Sequence, residues 1–279
     1  LEDFAAFVCN WDDKPGNMRL IAETLNLGLD ALVFVDDNPA ECSFVRQNVS
    51  EVTVVDLPTD ASQFIDHLDG LRLFDSQLVS GTDKYRAVSY QALQRAQADQ
   101  KDAASLDDFL ASLNMTAHVE PFAPKHTERL AQMQARTNQF NVTTRRYHAD
   151  HILKISTSDT VHGLTVSMRD RYADHGVVAS LLAIEEGGAL RIDDWLMSCR
   201  VFSRTLEQFM FNHVLVLART CGVKKILGEF KPTERNSPVK DLYPQLGFVP
   251  DGADGRWWTF AVPTEGGEQK TYIGNPERS

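Results

Sequence analysis

Cys199 stands where a strand ends and a helix begins. In Asp194-Trp195-Leu196-Met197-Ser198-Cys199-Arg200-Val201, the residues Trp195, Met197 and Cys199 recur at the spacing of one strand face. Phe202-Ser203-Arg204-Thr205-Leu206-Glu207 then opens a long helix, with Ser203 or Thr205 as its N-cap. The unpaired N–H groups and dipole of a helix start favour negative charge and lower a thiol's pKa. Arg200 and Arg204 add positive charge beside it. A thiolate attacks acyl carbons, so the pattern suits a nucleophile; it equally suits a small buried strand residue. A thiol nucleophile needs a base in reach. Asp174-His175-Gly176 opens a strand expected next to that of Cys199. His175, with Asp174 beside it, is either that base or a turn residue.

Acidic chemistry lies near the start of the chain. Ala31-Leu32-Val33-Phe34-Val35 is a short, continuously apolar run, as in a buried parallel strand, and it ends in Asp36-Asp37-Asn38-Pro39. Adjacent carboxylates at a strand's carboxyl end suit Mg²⁺, a hard cation; otherwise one of them caps the helix that starts at Pro39. Lys14, in the turn before the first helix, either holds a phosphoryl group as a point charge or is a surface residue. A third cluster is polar. Asn138, Gln139, Asn141, Thr143, Thr144 and Arg145 share one loop-to-helix turn. They either bind hydroxyls and an anionic group of a substrate or cap their own turn.

The elements that must position these residues fall into an α/β pattern. Residues 1–57 read helix, strand, helix, strand: part of a doubly wound domain, whose functional groups gather at strand carboxyl ends. Residues 58–115 read as a helical connector, with one helix over 83–99 and another capped by Ser105. Residues 116–262 form a second domain. Its expected order is a strand, a helix over 125–136, a loop at 138–141, the run 143–147 leading into a helix through Leu153, and strands over 161–169, 176–184 and 190–199. A helix over 205–220, a strand over 225–230, a helix over 237–246 and a last strand over 257–262 follow. Residues 263–279 read as a loose polar tail.

Composition narrows the partners. Of 279 residues, 43% are hydrophobic and 24% charged, as in a soluble globular protein. A net charge of −11 argues against nucleic acid or an acidic membrane surface as partner. Cys9, Cys42, Cys199 and Cys221 show neither a C-x-x-C pair nor zinc spacing, and are expected as thiols in a reducing cytoplasm. Cys9 and Cys42 lie in the other domain, Cys221 at a helix end, and His148, His162 and His213 are less well placed than His175. The chain begins mid-pattern with Leu1-Glu2-Asp3-Phe4, as a piece of a longer protein does.

Two resemblances sharpen this. Lys14 and Val33-Phe34-Val35-Asp36-Asp37-Asn38 resemble the lysine and the acidic Mg²⁺ motif in the second half of haloacid-dehalogenase-type phosphatases. That implies phosphate binding by Lys14 and Mg²⁺ on Asp36 and Asp37. The Asp-x-Asp nucleophile motif of those proteins does not occur in this sequence, so Lys14 is expected to be vestigial, and phosphatase turnover and tight Mg²⁺ binding are not expected. Asn236-Ser237-Pro238-Val239-Lys240-Asp241-Leu242-Tyr243-Pro244-Gln245-Leu246-Gly247-Phe248 resembles the late motif of GCN5-type N-acetyltransferases. There the asparagine and tyrosine approach a pantetheine thioester, which implies that role for Asn236 and Tyr243; the polar turn at 138–145 covers the acyl site. The turn that seats a pyrophosphate in that fold is Gly-rich, whereas Arg200 to Thr205 holds no glycine. That favours a carrier-protein arm over coenzyme A.

A partial phosphatase-like domain, a connector and an acetyltransferase-like domain together resemble the FkbH-like family. Those proteins serve polyketide biosynthesis. They take a glyceryl group from 1,3-bisphosphoglycerate, remove its phosphate and load it onto an acyl carrier protein. The resemblance implies a thioester on Cys199 and the carrier's phosphopantetheine arm as acceptor. An acidic carrier docking on an acidic chain needs a basic patch, for which Arg145, Arg146, Arg200 and Arg204 are candidates. An acyl-CoA-dependent N-acyltransferase and a non-catalytic carrier-docking module are the alternatives.

Overall fold

The computed structural model describes residues 4–75 except 26 and residues 103–274 except 156, with positions 92, 95, 96, 99 and 100 between them. The helix expected over 83–99 lies largely outside the described residues. The chain divides into two units, Leu1–Gln94 and Arg95–Ser279.

The first unit runs α1 (Lys14–Leu25), β1 (Val33–Asp36), α2 (Pro39–Asn48), β2 (Thr53–Asp56) and α3 (Phe64–Gly70). β1 and β2 pair in parallel, from Val33 opposite Thr53 to Asp36 opposite Asp56. Met18 from α1, Phe34 from β1, and Cys42 and Val45 from α2 meet in one core with Val49 and Val52. Pro39 fits the first turn of α2 because its missing N–H has no partner to lose there. Asn38 is the N-cap, its Oδ1 accepting from Ala40 N–H at 3.0 Å. Neither Asp36 nor Asp37 is needed as the cap.

The second unit runs α4 (Leu106–Ser112), β3 (Thr116–Pro121), α5 (Thr127–Arg136), α6 (Ala149–Ile155), β4 (Val161–Arg169), β5 (Asp174–Glu186) and β6 (Ala189–Met197). After these come α7 (Leu206–Thr220), β7 (Lys225–Glu229), α8 (Leu242–Gln245), β8 (Val249–Pro250) and β9 (Trp257–Ala261). The sheet order is β3-β4-β5-β6-β7-β9-β8. Only β6 and β7 pair in parallel; the other neighbours are antiparallel. Gly187 and Gly188, both at positive φ, supply the tight β5–β6 turn that a side chain would strain. β6 is the central strand, buried at every position but Arg191. α7 buries Leu206, Phe209, Met210, Val214 and Leu215, the 3.6-residue periodicity of a helix laid on a sheet.

Two expectations need correction. Residues 103–115 are not a bare connector: Phe109 and Leu110, on the helix capped by Ser105 Oγ, and Leu113 just after it are buried in the core of the second unit. The residues after Pro263 are not loose as far as Gly274. Asn212 exchanges two hydrogen bonds with Gln269, Ile273 is buried, and Gly274 bridges to Thr116 of β3.

Among the described residues no helix is long and apolar enough to cross a membrane.

Candidate functional site

β6 delivers Cys199. Beyond Met197 the chain turns, with Ser198 N–H donating to Val178 C=O at 2.7 Å, and a 3₁₀ turn runs from Cys199 to Val201. Cys199 is half-buried at the first position of that turn. Helix α7 begins only at Leu206, so residues 200–205 stand between the cysteine and the helix start; Cys199 is not itself at a helix N-terminus. Thr205 precedes the helix but does not cap it through its side chain: its Oγ1 lies 3.1 Å from Thr271 Oγ1 and accepts from Tyr272 N–H. Ser203 and Thr205 adopt φ of 58° and 60°, a left-handed conformation costly for residues with a Cβ. The turn lacks glycine yet takes glycine-like angles.

A buried ionic cluster supports that strain. Arg204 and His175, both of which the sequence placed near the cysteine, meet at Asp170. His175 Nε2 lies 3.0 Å from Asp170 Oδ2, Arg204 Nη1 donates to the same oxygen, and Arg204 Nη1 lies 3.3 Å from His175 Nε2. The Asp170 side chain is fully enclosed. Burial pushes its carboxyl up, but the hydrogen bond from His175 and the Arg204 charge outweigh it and hold the pKa at about 2. The expected partner, Asp174, is exposed and accepts from Gly176 N–H instead. Arg204 is buried, so it does not belong to an exposed basic patch. Arg200 remains half-buried, with Nε donating to Ser198 Oγ at 3.1 Å. A cleft of about 620 Å³ beside β3 and β4 reaches Asp170 and Asp174, but Cys199 does not line it.

The polar turn at 138–145 fills the gap where β6 and β7 part. Their pairing stops at Ile192 opposite Gly228. At the same point β6 carries a bulge: Leu182 faces Asp194 and Ala183 faces Ile192, leaving Asp193 as the extra residue. Segment 140–142 enters the opening. Val142 N–H donates to Trp195 C=O, Met197 N–H to Phe140 C=O, and Lys231 N–H to Val142 C=O at 2.8 Å. Asn141 is buried and folds the turn on itself, its Oδ1 accepting from the N–H groups of Thr143 and Thr144. Thr143 Oγ1 donates to Asp193 C=O, and Asn138 Oδ1 accepts from Arg146. Gln139 sits half-buried on the same loop. Of this cluster, Asn141 caps its own turn.

Asn236 and Tyr243 are interior ties. Asn236 Nδ2 donates to Asn141 C=O and Lys231 C=O, both at 2.9 Å, and so clamps the inserted segment. Tyr243 is buried with its hydroxyl on Glu229 C=O at 3.3 Å. Its ring takes the space above Gly228, where an added Cβ would lie 2.3 Å from Cε1. The expectation that both side chains face an acyl site is not met: their polar atoms already have backbone partners.

The sequence reading missed a buried acidic group at the bulge. Asp193, Asp194 and Glu229 are all buried. Asp193 accepts from Arg191 and from the Tyr147 hydroxyl. Arg145 Nη2 lies 2.6 Å from Glu229 Oε2, and Arg256 Nε donates to Glu229 Oε1 at 2.8 Å. Arg145 is thus an internal counter-ion rather than a hand for substrate. Among the described residues the Asp194 side chain accepts from Gln134, at 2.6 Å, and its Oδ1 has no hydrogen-bond partner. Burial pushes its pKa up to about 7, against the Gln134 hydrogen bond and with help from the Asp193 charge. The available signal was two acids inside an apolar strand, Ile192-Asp193-Asp194-Trp195.

In the first unit, Asp36 is half-buried and Asp37 exposed at the carboxyl end of β1. Asp36 Oδ1 accepts from Asn38 N–H at 2.9 Å. Among the described residues, no set of three ligating side chains includes either aspartate. Lys14 is exposed at the first position of α1. Of the other cysteines, Cys9 is exposed and Cys42 buried. Cys221 is half-buried, its pKa pushed up to about 11 by burial and by Glu185.

No family model and no curated protein matches the chain. Among solved structures, the chain is similar to the N-terminal part of the protein BF1531 from Bacteroides fragilis, which contains a phosphatase domain complexed with Mg. The match has 47% identity over 27% of this chain, with a TM-score of 0.26, and spans only 20% of that chain's length. A second similarity is to the ribosomal-protein-S18-alanine N-acetyltransferase from Escherichia coli. It has 10% identity over 54% of this chain and 97% of that one, with a TM-score of 0.42. The GNAT domain of S. lividans PAT is similar at 16% identity over 52% of this chain and 90% of its own, with a TM-score of 0.43.

Proposed function

We propose that the second unit is an acyltransferase that holds an acyl group as a thioester on Cys199 and passes it to the phosphopantetheine thiol of an acyl carrier protein. Glyceryl, drawn from 1,3-bisphosphoglycerate, is the group that the FkbH-like resemblance favours. The observation that carries this reading is the seat of Cys199: a half-buried thiol just past the carboxyl end of the central strand, on a turn followed by a segment that is strained at Ser203 and Thr205 and anchored from inside by Arg204. Strain of this kind persists where surrounding structure over-determines it, and it collects at working sites.

In the first step the Cys199 thiolate attacks the acyl carbon of the acyl phosphate. A C–S bond forms, the bond from that carbon to the phosphate oxygen breaks, and phosphate leaves with the electron pair; Cys199 then holds a 3-phosphoglyceryl group, whose remaining phosphate ester is hydrolysed with water by a separate phosphatase before glyceryl is passed on. In the second step the carrier thiolate attacks the thioester carbon, and Cys199 leaves as thiolate. His175, Asp170 and Arg204 act as positioning residues that hold the turn, since the Nε2 of His175 is already committed to Asp170.

Intact-mass measurement after incubation of the full chain with 1,3-bisphosphoglycerate tests the proposal. An adduct on the Cys199 peptide, absent from Cys199→Ala, is the expected result. Carrier loading by Cys199→Ala at the native rate rules the covalent route out and leaves direct transfer. Carrier binding with neither adduct nor turnover points to a docking module.

A further inference from the structure

We propose that His162, Glu185 and Cys221 form a binding site for one divalent transition-metal ion of the Zn²⁺ class. The site lies at the end of the sheet away from Cys199. The three side chains come from β4, from β5 and from the C-cap of α7. His162 Nε2 lies 2.6 Å from Glu185 Oε1 and 3.8 Å from Cys221 Sγ. All three ligating atoms lie within 4.8 Å of one another.

Position separates this site from the acyl-transfer reading. β5 and β6 are antiparallel, with Glu185 opposite Leu190 near the start of β6, while Cys199 follows its end. At about 3.3 Å per residue, some 30 Å of strand lies between. The ligand-bearing backbone is fixed rather than loose. His162 pairs with Ala183, Glu185 N–H donates to Thr160 C=O at 2.8 Å, and Cys221 N–H to Leu217 C=O at 2.9 Å. Sites on regular elements hold their geometry better than sites on loops.

The donor set selects the ion. A thiolate with an imidazole and a carboxylate suits Zn²⁺, whereas Mg²⁺ and Ca²⁺ prefer oxygen ligands throughout. With Zn–N about 2.0 Å and Zn–S about 2.3 Å, a tetrahedral ion sets nitrogen and sulfur about 3.5 Å apart and nitrogen and oxygen about 3.3 Å apart. The sulfur is already within a few tenths of that. The carboxylate must swing outward, and its 30% side-chain exposure leaves it room to do so. Thiolate and carboxylate together neutralise the ion, and the thiol proton leaves to solvent. Partial exposure of His162 and Glu185 provides an entry path and a fourth position for water. The three residues are far apart in the sequence, so cysteine spacing could not reveal them.

The test uses the chelator-treated full chain with Co²⁺ as a spectroscopic probe and Zn²⁺ as competitor. The expected result is one equivalent of Co²⁺ giving a thiolate-to-metal charge-transfer band that Zn²⁺ displaces. Cys221→Ser should lose the band, and His162→Ala should weaken binding by at least the roughly tenfold that loss of a supporting group costs. Cys9→Ser should keep the band. A second measurement needs no variant: Zn²⁺ should slow alkylation of Cys221 in the native chain, read by peptide mass spectrometry. Absence of the band, or a Cys221 alkylation rate indifferent to Zn²⁺, reduces the cluster to a His–Glu ion pair beside a thiol and overturns the proposal.

Discussion

His175 Nε2 lies 3.0 Å from Asp170 Oδ2, while the adjacent Asp174 turns its carboxylate to the N–H of Gly176. The histidine's charge partner is therefore five residues back, across the turn that opens β5. Because Arg204 donates to the same Asp170 oxygen, this pairing ties the β4–β5 turn to the segment after Cys199. Removing one member of a buried ion pair leaves the other charge without compensation, at a cost of about 3–5 kcal/mol. We expect Asp170→Ala to lose stability on that scale, and Asp174→Ala, at an exposed position, to lose about 0.5 kcal/mol. Urea unfolding of the two variants decides this; equal losses contradict the assignment.

Asp194 should make stability depend on pH in the neutral range. Its pKa rises from 3.8 to about 7 on folding, so between those values the native state binds the proton that the unfolded state has released. Its favourable contribution is complete below 3.8 and is lost as pH rises to about 7, on the order of 4 kcal/mol. Asp170 has the opposite sign, its contribution being lost only as pH falls from 3.8 toward 2. Urea midpoints measured above pH 4.5 therefore leave Asp170 out, while Glu207, whose pKa burial also raises, adds a fall of the same sign. They should fall toward pH 7.5 in the native chain and fall distinctly less steeply in Asp194→Asn. A slope unchanged by the substitution would count against this reading.

The elements were largely legible because their periodicities are strong. The apolar run before Asp36, the paired glycines at 187–188 and the apolar stripe of α7 each fix one local structure. What stayed hidden depends on contacts between distant residues. Nothing local to His175 distinguishes Asp174 from Asp170, and only the folded hairpin makes the choice. Arg204 reads as a surface cation until Asp170 is placed against it. Asn236 and Tyr243 were found by motif, but their burial against Asn141 and Gly228 follows from how the chain fills the gap beside β7. The last twelve described residues carry few apolar side chains, so their attachment through Asn212, Arg219 and Thr205 left little trace.

Gly228 should tolerate no side chain. A Cβ there meets the Tyr243 ring at 2.3 Å, and both residues are buried in the core. Overpacking of this kind costs about 1–3 kcal/mol and shifts the surroundings. We expect Gly228→Ala to lower the thermal midpoint clearly. Pairing it with Tyr243→Leu, which vacates the ring's space, should recover part of the loss. If Gly228→Ala is neutral, the ring is not packed as described.

The final prediction concerns the order of thiol reactivity. Alkylation needs access and thiolate, and the four cysteines differ in both. Cys42 is buried, and burial with the charges of Asp36 and Asp56 pushes its thiol up. Cys221 is held at about 11 by burial and Glu185. Both should react slowly with iodoacetamide at neutral pH. Cys9 is exposed and sets the rate of an ordinary surface thiol. Cys199 is less exposed than Cys9, so access alone ranks it second; only a turn that stabilises its thiolate can reverse that order. The proposed function requires the reversal. Peptide-resolved alkylation should therefore label Cys199 ahead of Cys9, Cys42 and Cys221. Disturbing the anchor with Asp170→Asn should slow Cys199 while leaving Cys9 unchanged. A Cys199 that lags behind Cys9 in the native chain has no activated thiol, and the covalent route then loses its chemical basis.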